Sequence, residues 1–279
     1  MRSPRDEPEL VRAAAAGSPA AVDALWDAYG ARVFAFCQRV LGHARLAADA
    51  AQDAFLLAHA QLARLDRAGA GFGTELFGAA RRTSGELLAR APLAAAPRDR
   101  GGLSSAAARL RPPQRGALAL ASLEGLSHAE IAVVLEIEAA AVPALLARAR
   151  LRLYDELHGS AVAAAAVRSP DCEDVLPVLA AAADGELVGA DATWADPHVT
   201  RCAACPRTIR AMAVAAATYA AWSPASPPSW LRAATLADVG AETPAITPAA
   251  TPADDGEGRD DRECDPHDGR HRAGAMIPA

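Results

Sequence analysis

Leu123-Glu-Gly-Leu-Ser-His-Ala-Glu-Ile-Ala-Val-Val-Leu-Glu-Ile-Glu138 is the stretch that decides the fold. Pro112-Pro113 starts a helix that runs to about Leu123, and Gly125 ends it. Ser127 is placed to cap the next helix, with Glu130 three residues on to return a bond to the cap, a reciprocal arrangement called a capping box. Ile131, Val134 and Leu135 lie on the buried side of that short helix, a turn follows at Glu136 to Glu138, and another helix is expected from about Ala139 to Leu157. Two short helices joined by a tight turn form a helix-turn-helix.

Outward from this stretch the helical signal continues in both directions. Val22, Leu25, Trp26, Tyr29, Val33, Phe36, Cys37, Val40 and Leu41 recur at three- and four-residue spacing, so residues 22–41 form an amphipathic helix with Cys37 on its apolar face. A second helix is expected over 46–65, closed by glycines at 69, 71 and 73, and a third over 74–90. These make one helical domain, residues 8–92, and a linker rich in Pro and Gly covers 93–105. The helix-turn-helix domain occupies 106–160 and a further unit 170–222. A Pro- and Asp-rich tail, 223–279, is expected to be largely disordered, with a short helix near Trp230 to Val239. The fold class is all-α: Ala dominates, aromatics are only 4%, and helix propensity is high almost throughout.

Charge divides the chain. Residues 1–160 carry 19 Arg against 17 acidic residues, a net +2, whereas 161–279 carry 9 Arg against 17 acidic residues, a net −8. The first part can approach nucleic acid locally but is no sequence-blind basic coat. No segment has the order of a signal peptide or the length of a membrane span, so a cytoplasmic protein with no membrane partner is expected. No nucleophile and base pair, phosphate loop or open metal site suggests an enzyme.

Five cysteines in a cytoplasmic chain favour metal or thiol chemistry over a disulfide framework. His198-x-x-x-Cys202-x-x-Cys205 sets three soft ligands within reach of one tetrahedral ion, and Cys172 can supply the fourth. Zinc, one ion in a closed Cys3His site, is the natural candidate, the plainer alternative being reduced cysteines beside an unrelated histidine. Cys264-x-x-His267-x-x-x-His271 has ligand-like spacing but no surrounding core.

Three segments in order resemble the extracytoplasmic-function sigma factors of the sigma-70 family. They are Glu9 to Gly17 with Leu25-Trp-Asp-Ala-Tyr29; Ala48-Asp-Ala-Ala-Gln-Asp-Ala-Phe55; and Leu110 to Arg115 with Leu123 to Ala132 and Ala147-Arg-Ala-Arg150. The resemblance implies that Asp49, Gln52, Asp53 and Phe55 serve docking to core RNA polymerase. It also implies that Arg81, Arg82, Ser127, His128, Arg148, Arg150 and Arg152 serve promoter DNA. Cys172, Asp184-Gly-Glu-Leu187 and His198 to Cys205 are similar to the zinc-binding anti-sigma domain, which here would contact the sigma-like domains within the same chain and regulate them. Two departures fall at DNA-facing positions. Glu75-Leu76 stands where a Trp-Leu pair is typical, and Pro143-Ala144-Leu145 offers no side-chain hydrogen bond to a base edge. The leading reading is a sigma factor with a zinc-binding regulator in cis. The alternative is a degenerate sigma-like scaffold that binds polymerase or another regulator without initiating transcription.

Overall fold

Caps and breakers in the sequence set most helix limits in the computed structural model, which describes residues 4, 6–69, 71–90, 102–166, 170–186, 193, 197–223 and 226–242. Among the described residues the fold is all-α, without strands. Helix α1 is Glu7–Ala15 and α2 is Pro19–Leu41, opened by the Ser18 side chain and Pro19 and closed by Gly42 at φ 70°. Helix α3 is Ala44–Ala60, α4 Leu62–Ala68 and α5 Phe72–Arg90. The single helix expected over 46–65 is thus two, because the Gln61 N–H bonds back to Ala58 O and tightens the chain into a turn.

Then come α6, Leu103–Ala108, α7, Pro112–Leu123, and α8, His128–Leu135. A single 3-10 turn, Ala139–Ala141, leads into α9, Val142–His158. The helix-turn-helix is therefore α8 and α9. The expected linker lies outside the described residues up to 101, whereas its last residues belong to α6, which buries Ser105, Ala106 and Ala107. Helices α10, Val162–Ala166, α11, Pro170–Ala183, and α12, Cys205–Ala220, complete the part around the cysteines.

The expected tail is not uniform. Helix α13, Ser229–Glu242, runs through its first part and packs on α3 and α2, burying Leu231, Thr235 and Val239. Those residues recur every four positions, so they form one stripe. The short helix expected near Trp230 to Val239 is therefore α13, and it is packed on the fold. The rest of the tail, with Cys264, His267 and His271, lies outside the described residues.

Packing joins what the sequence divides. One apolar core runs from Val11 through Phe55, Phe77, Leu118, Ile131 and Leu146 to Tyr219 and Val239. Helix α2 packs on α7 and α5 on α8, while α9 packs on both α11 and α12. A smaller cluster of Ala147, Leu151, Val175, Leu176, Cys205 and Met212 surrounds the cysteines. All described residues fall in one unit, Met1–Thr243.

Arg39, on α2 and only 1% exposed, closes the end of α12. Its Nη1 donates to Tyr219 O at 3.0 Å and its Nη2 to Trp222 O, so two carbonyls left over at the helix end have partners. The guanidinium carbon also lies 4.6 Å from the Tyr219 ring centroid and 5.0 Å from that of Trp222, a double cation–π contact.

Candidate metal centre and helix-turn-helix face

The candidate metal centre is assembled by three chain segments. Cys172 lies in the first turn of α11, His198 and Cys202 precede α12, and Cys205 begins α12. Their ligand atoms all lie within 4.8 Å of one another. Cys172 Sγ is 3.6 Å from His198 Nε2 and 3.6 Å from Cys202 Sγ, and His198 Nε2 is 3.2 Å from Cys205 Sγ. Ligands about 2.0–2.3 Å from a tetrahedral ion stand roughly 3.3–3.8 Å apart; these three contacts are close to that spacing and no donor pair exceeds 4.8 Å, so the group could hold one such ion.

The electrostatics ask for a cation. Backbone N–H groups of Cys205 and Ala204 lower the Cys202 thiol to about 6, so it is a thiolate at neutral pH. Cys205 is instead pushed up to about 12, first by burial and then by the neighbouring thiols. Three thiols this close cannot all ionise without a counter-charge, and a divalent ion supplies one. By contrast Cys37 is a core residue, fully buried, and burial raises its thiol to about 12.

The helix-turn-helix is fixed by its caps. Ser127 is extended (φ −63°, ψ 160°); its Oγ accepts from Glu130 N–H at 3.3 Å and its N–H donates to Glu130 Oε2 at 2.9 Å. The Ser127 N–H and hydroxyl, both on the Glu130 carboxylate, contribute to lowering its pKa below the usual range against the effect of its burial. At the other end of α8, Glu136 adopts a left-handed conformation (φ 56°) that is costly for a non-glycine residue. Arg81 and Arg82 of α5 both pair with its carboxylate, at 2.5 and 3.5 Å, and Arg81 Nε donates to Val134 O at 2.9 Å. Pro143 sits in the first turn of α9, where no backbone donor is missed, so the helix is not kinked there.

The expected DNA residues divide by partner. Arg148 and Arg152 are exposed; Arg148 pairs with Glu173 of α11 at 3.3 Å and Arg152 with Glu156 of its own helix at 3.2 Å. Arg150 is buried and grips Asp184 with both ends of its fork, Nη1 to Oδ2 at 3.1 Å and Nη2 to Oδ1 at 2.5 Å. His128 meets the same acidic turn. Its backbone N–H donates to both Glu186 oxygens, at 2.9 and 3.0 Å, and its Nε2 is 3.1 Å from Asp184 Oδ2. Ser127 is engaged in its cap. Arg82 also pairs with Glu75 at 3.2 Å, and Glu75 in turn with Arg64 at 2.8 Å, which is why an acid is stable at that position.

The expected polymerase-docking residues share helix α3. Asp53 is exposed, Asp49 and Gln52 are half-buried, and Gln52 Nε2 donates to Asp238 of α13 at 2.5 Å. Asp53 is raised by partial burial and by Asp49 and Glu86 nearby. Phe55 is not at the surface: it is fully buried, edge-on to Trp26 and Phe72, so it braces α3 from inside. Glu173, Asp238 and Arg39 carry contacts that the motifs did not single out, whereas Asp184 and Glu186 belong to the Asp184-Gly-Glu-Leu187 stretch already noted, without their partners Arg150 and His128 being foreseen. For Glu173 and Asp238 the acidic excess of residues 161–279 was the one signal in the sequence, and Arg39 had none.

Among the described residues, no helix is long and apolar enough to cross a membrane. No curated protein matches the chain. Residues 100–153, which hold α7 and most of the α8–α9 helix-turn-helix with its caps, match the family model described as Sigma-70, region 4, so the chain carries a segment similar to that part of the sigma-70 family.

Proposed function

We propose that the chain is a sigma factor: the α8–α9 helix-turn-helix engages promoter DNA, the α2–α3 face engages core RNA polymerase, and a zinc-binding module regulates both in cis. The observation that carries this reading is the capped helix-turn-helix within residues 100–153, the segment that matches sigma-70 region 4. A helix-turn-helix sets its second helix into the major groove while phosphate contacts fix its position. Arg148 and Arg152 are exposed on α9 and suited to such contacts.

The regulatory part is supported by the partners of α9 and α3. Glu173 and Asp184 face Arg148 and Arg150, and Asp238 meets Gln52, so groups suited to DNA or polymerase have acidic partners within the chain. Cys172, His198, Cys202 and Cys205 would hold zinc, which supplies a structural cross-link between α11 and the start of α12. With that cross-link lost, by chelation or thiol oxidation, α11 and α12 lose their common anchor beside α9. The sigma-like surfaces are then released.

A second reading, a scaffold that binds polymerase without initiating, draws on Glu75 and its Arg64 and Arg82 partners, which stand where a stacking aromatic would capture a melted base. In vitro transcription with purified core polymerase across a promoter library separates the two. Promoter-specific transcripts support the sigma factor. Polymerase binding without any specific transcript selects the scaffold.

A further inference from the structure

We infer that Asp184 and Glu186 sit in two phosphate-binding seats of the helix-turn-helix, their carboxylates standing where phosphates of a DNA backbone bind when the chain opens. The inference rests on the helix-turn-helix being a DNA reader, and adds which residues hold the backbone and what blocks them. The first seat is the start of α8, where Glu186 receives the His128 N–H on both oxygens and lies 3.3 Å from His128 Nδ1. A backbone donor at a helix N-terminus, reinforced by the helix dipole and a ring nitrogen, suits a phosphate as well as a carboxylate. The second seat is the Arg150 fork, which takes both oxygens of Asp184, while His128 Nε2 shares Oδ2. Planar, two-pronged recognition of this kind is the common property of carboxylates and phosphates.

Three features make this more than a surface ion pair. Arg150 is 5% exposed and His128 8%, so both are built into the fold rather than waving in solvent. Arg150 Nε is buried without a hydrogen-bond partner among the described residues, so the two carboxylate oxygens do not exhaust the donors of the fork. A cleft of about 260 Å³ opens at the same place, lined by Leu126, Ser127, His128, Glu130, Asp184 and Glu186. The two seats share His128 as a common wall, and both anions come from one turn, Asp184-Gly185-Glu186, in which Gly185 takes a φ of 74°. That left-handed glycine lets the two acidic side chains reach adjacent seats.

The test uses the full zinc-loaded chain and a fluorescent 20-base-pair duplex of arbitrary sequence, with affinity read by anisotropy at several salt concentrations. Glu186→Gln and Asp184→Asn should each tighten duplex binding by at least about tenfold, and the double variant should steepen the log–log salt dependence by about 1–2, one phosphate contact per seat freed. Adding Arg150→Gln should abolish the gain. Glu186→Gln keeps an acceptor for the His128 N–H and so preserves the cap, whereas Asp184→Asn strips a buried arginine of its counter-charge. Helicity and metal content are therefore measured on both, and the milder variant decides. Unchanged duplex affinity in a folded Glu186→Gln chain, with tight binding by a Cys202→Ser/Cys205→Ser chain, overturns the seats and leaves DNA reading intact. Duplex binding by none of these variants overturns both. Stabilisation of Glu186→Gln by inorganic phosphate without duplex binding overturns the assignment to a DNA backbone.

Discussion

Arg39 and Gly30 show how single positions on α2 hold the molecule together. Arg39 is a buried cation whose partners are carbonyls and aromatic faces, and burial lowers its pKa. Arg39→Ala removes two carbonyl partners and a filler of the core, and should cost about 3–5 kcal/mol in urea unfolding. Gly30 lies under Trp26, and a Cβ there would meet the indole at 2.5 Å. Gly30→Ala should therefore cost about 1–3 kcal/mol, checked by the same melt. The cysteines give a third residue-scale prediction. In metal-stripped protein, Cys202, lowered to about 6, should be alkylated first at pH 7, while Cys37, raised to about 12 and buried, stays silent until unfolding, as read by mass spectrometry. The sign follows from linkage: a lowered thiol contributes stability that is present above its unfolded value of 9.0 and lost as pH falls through about 6. Zinc binding must also displace the proton of Cys205, raised to about 12, so affinity should fall with pH across the neutral range and more steeply below about 6, where Cys202 is protonated as well. The ligand positions could be read from spacing because His198, Cys202 and Cys205 lie so close in sequence that they have few ways to miss one another. Arg39 could not, since its partners lie 180 and 183 residues away and are backbone atoms.

Among the elements, α8 and α13 mark the two extremes of what local sequence reveals. The box of Ser127 and Glu130 is written in four consecutive residues, and its geometry needs nothing from the rest of the chain. Ser127→Ala should lower stability by about 1 kcal/mol in thermal or urea unfolding, with Ser127→Asp restoring most of it. Helix α13 is different. Its stripe of Leu231, Thr235 and Val239 is short and flanked by prolines, so only the α2–α3 surface that buries it makes it a helix. Arg232 pairs with Asp23 and Asp27 at 3.0 Å each, but these pairs are exposed and add little beside the burial of Leu231. Leu231→Asp should detach α13 with a modest loss of overall stability, and protection of amide hydrogens in α3 should drop near Gln52. Pro143 illustrates the same lesson from the opposite side. A proline in a recognition helix looks disruptive until the 3-10 turn before it places α9 so that the ring falls in the first turn.

For the whole molecule, the sequence divides into three helical parts and a tail, yet their apolar faces meet in one core. That continuity rests on contacts between residues more than a hundred positions apart, such as Arg39 with Tyr219 and Gln52 with Asp238, and no periodicity reports on such pairs. The charge division of the chain did carry a trace of it. The acidic excess beyond residue 160 supplies Glu173, Asp184, Glu186 and Asp238, each set against a basic or amide group of the first part. Under the proposed function, zinc held by Cys172, His198, Cys202 and Cys205 would keep that acidic part seated, and the sigma-like surfaces would work when it leaves. The most direct test is run-off transcription by core polymerase on a promoter selected by the chain, measured as bound zinc is titrated away from one ion per chain. Transcript yield should rise as zinc is removed and fall again on its return. Transcription independent of zinc content, or none at any zinc content, would contradict the proposed function.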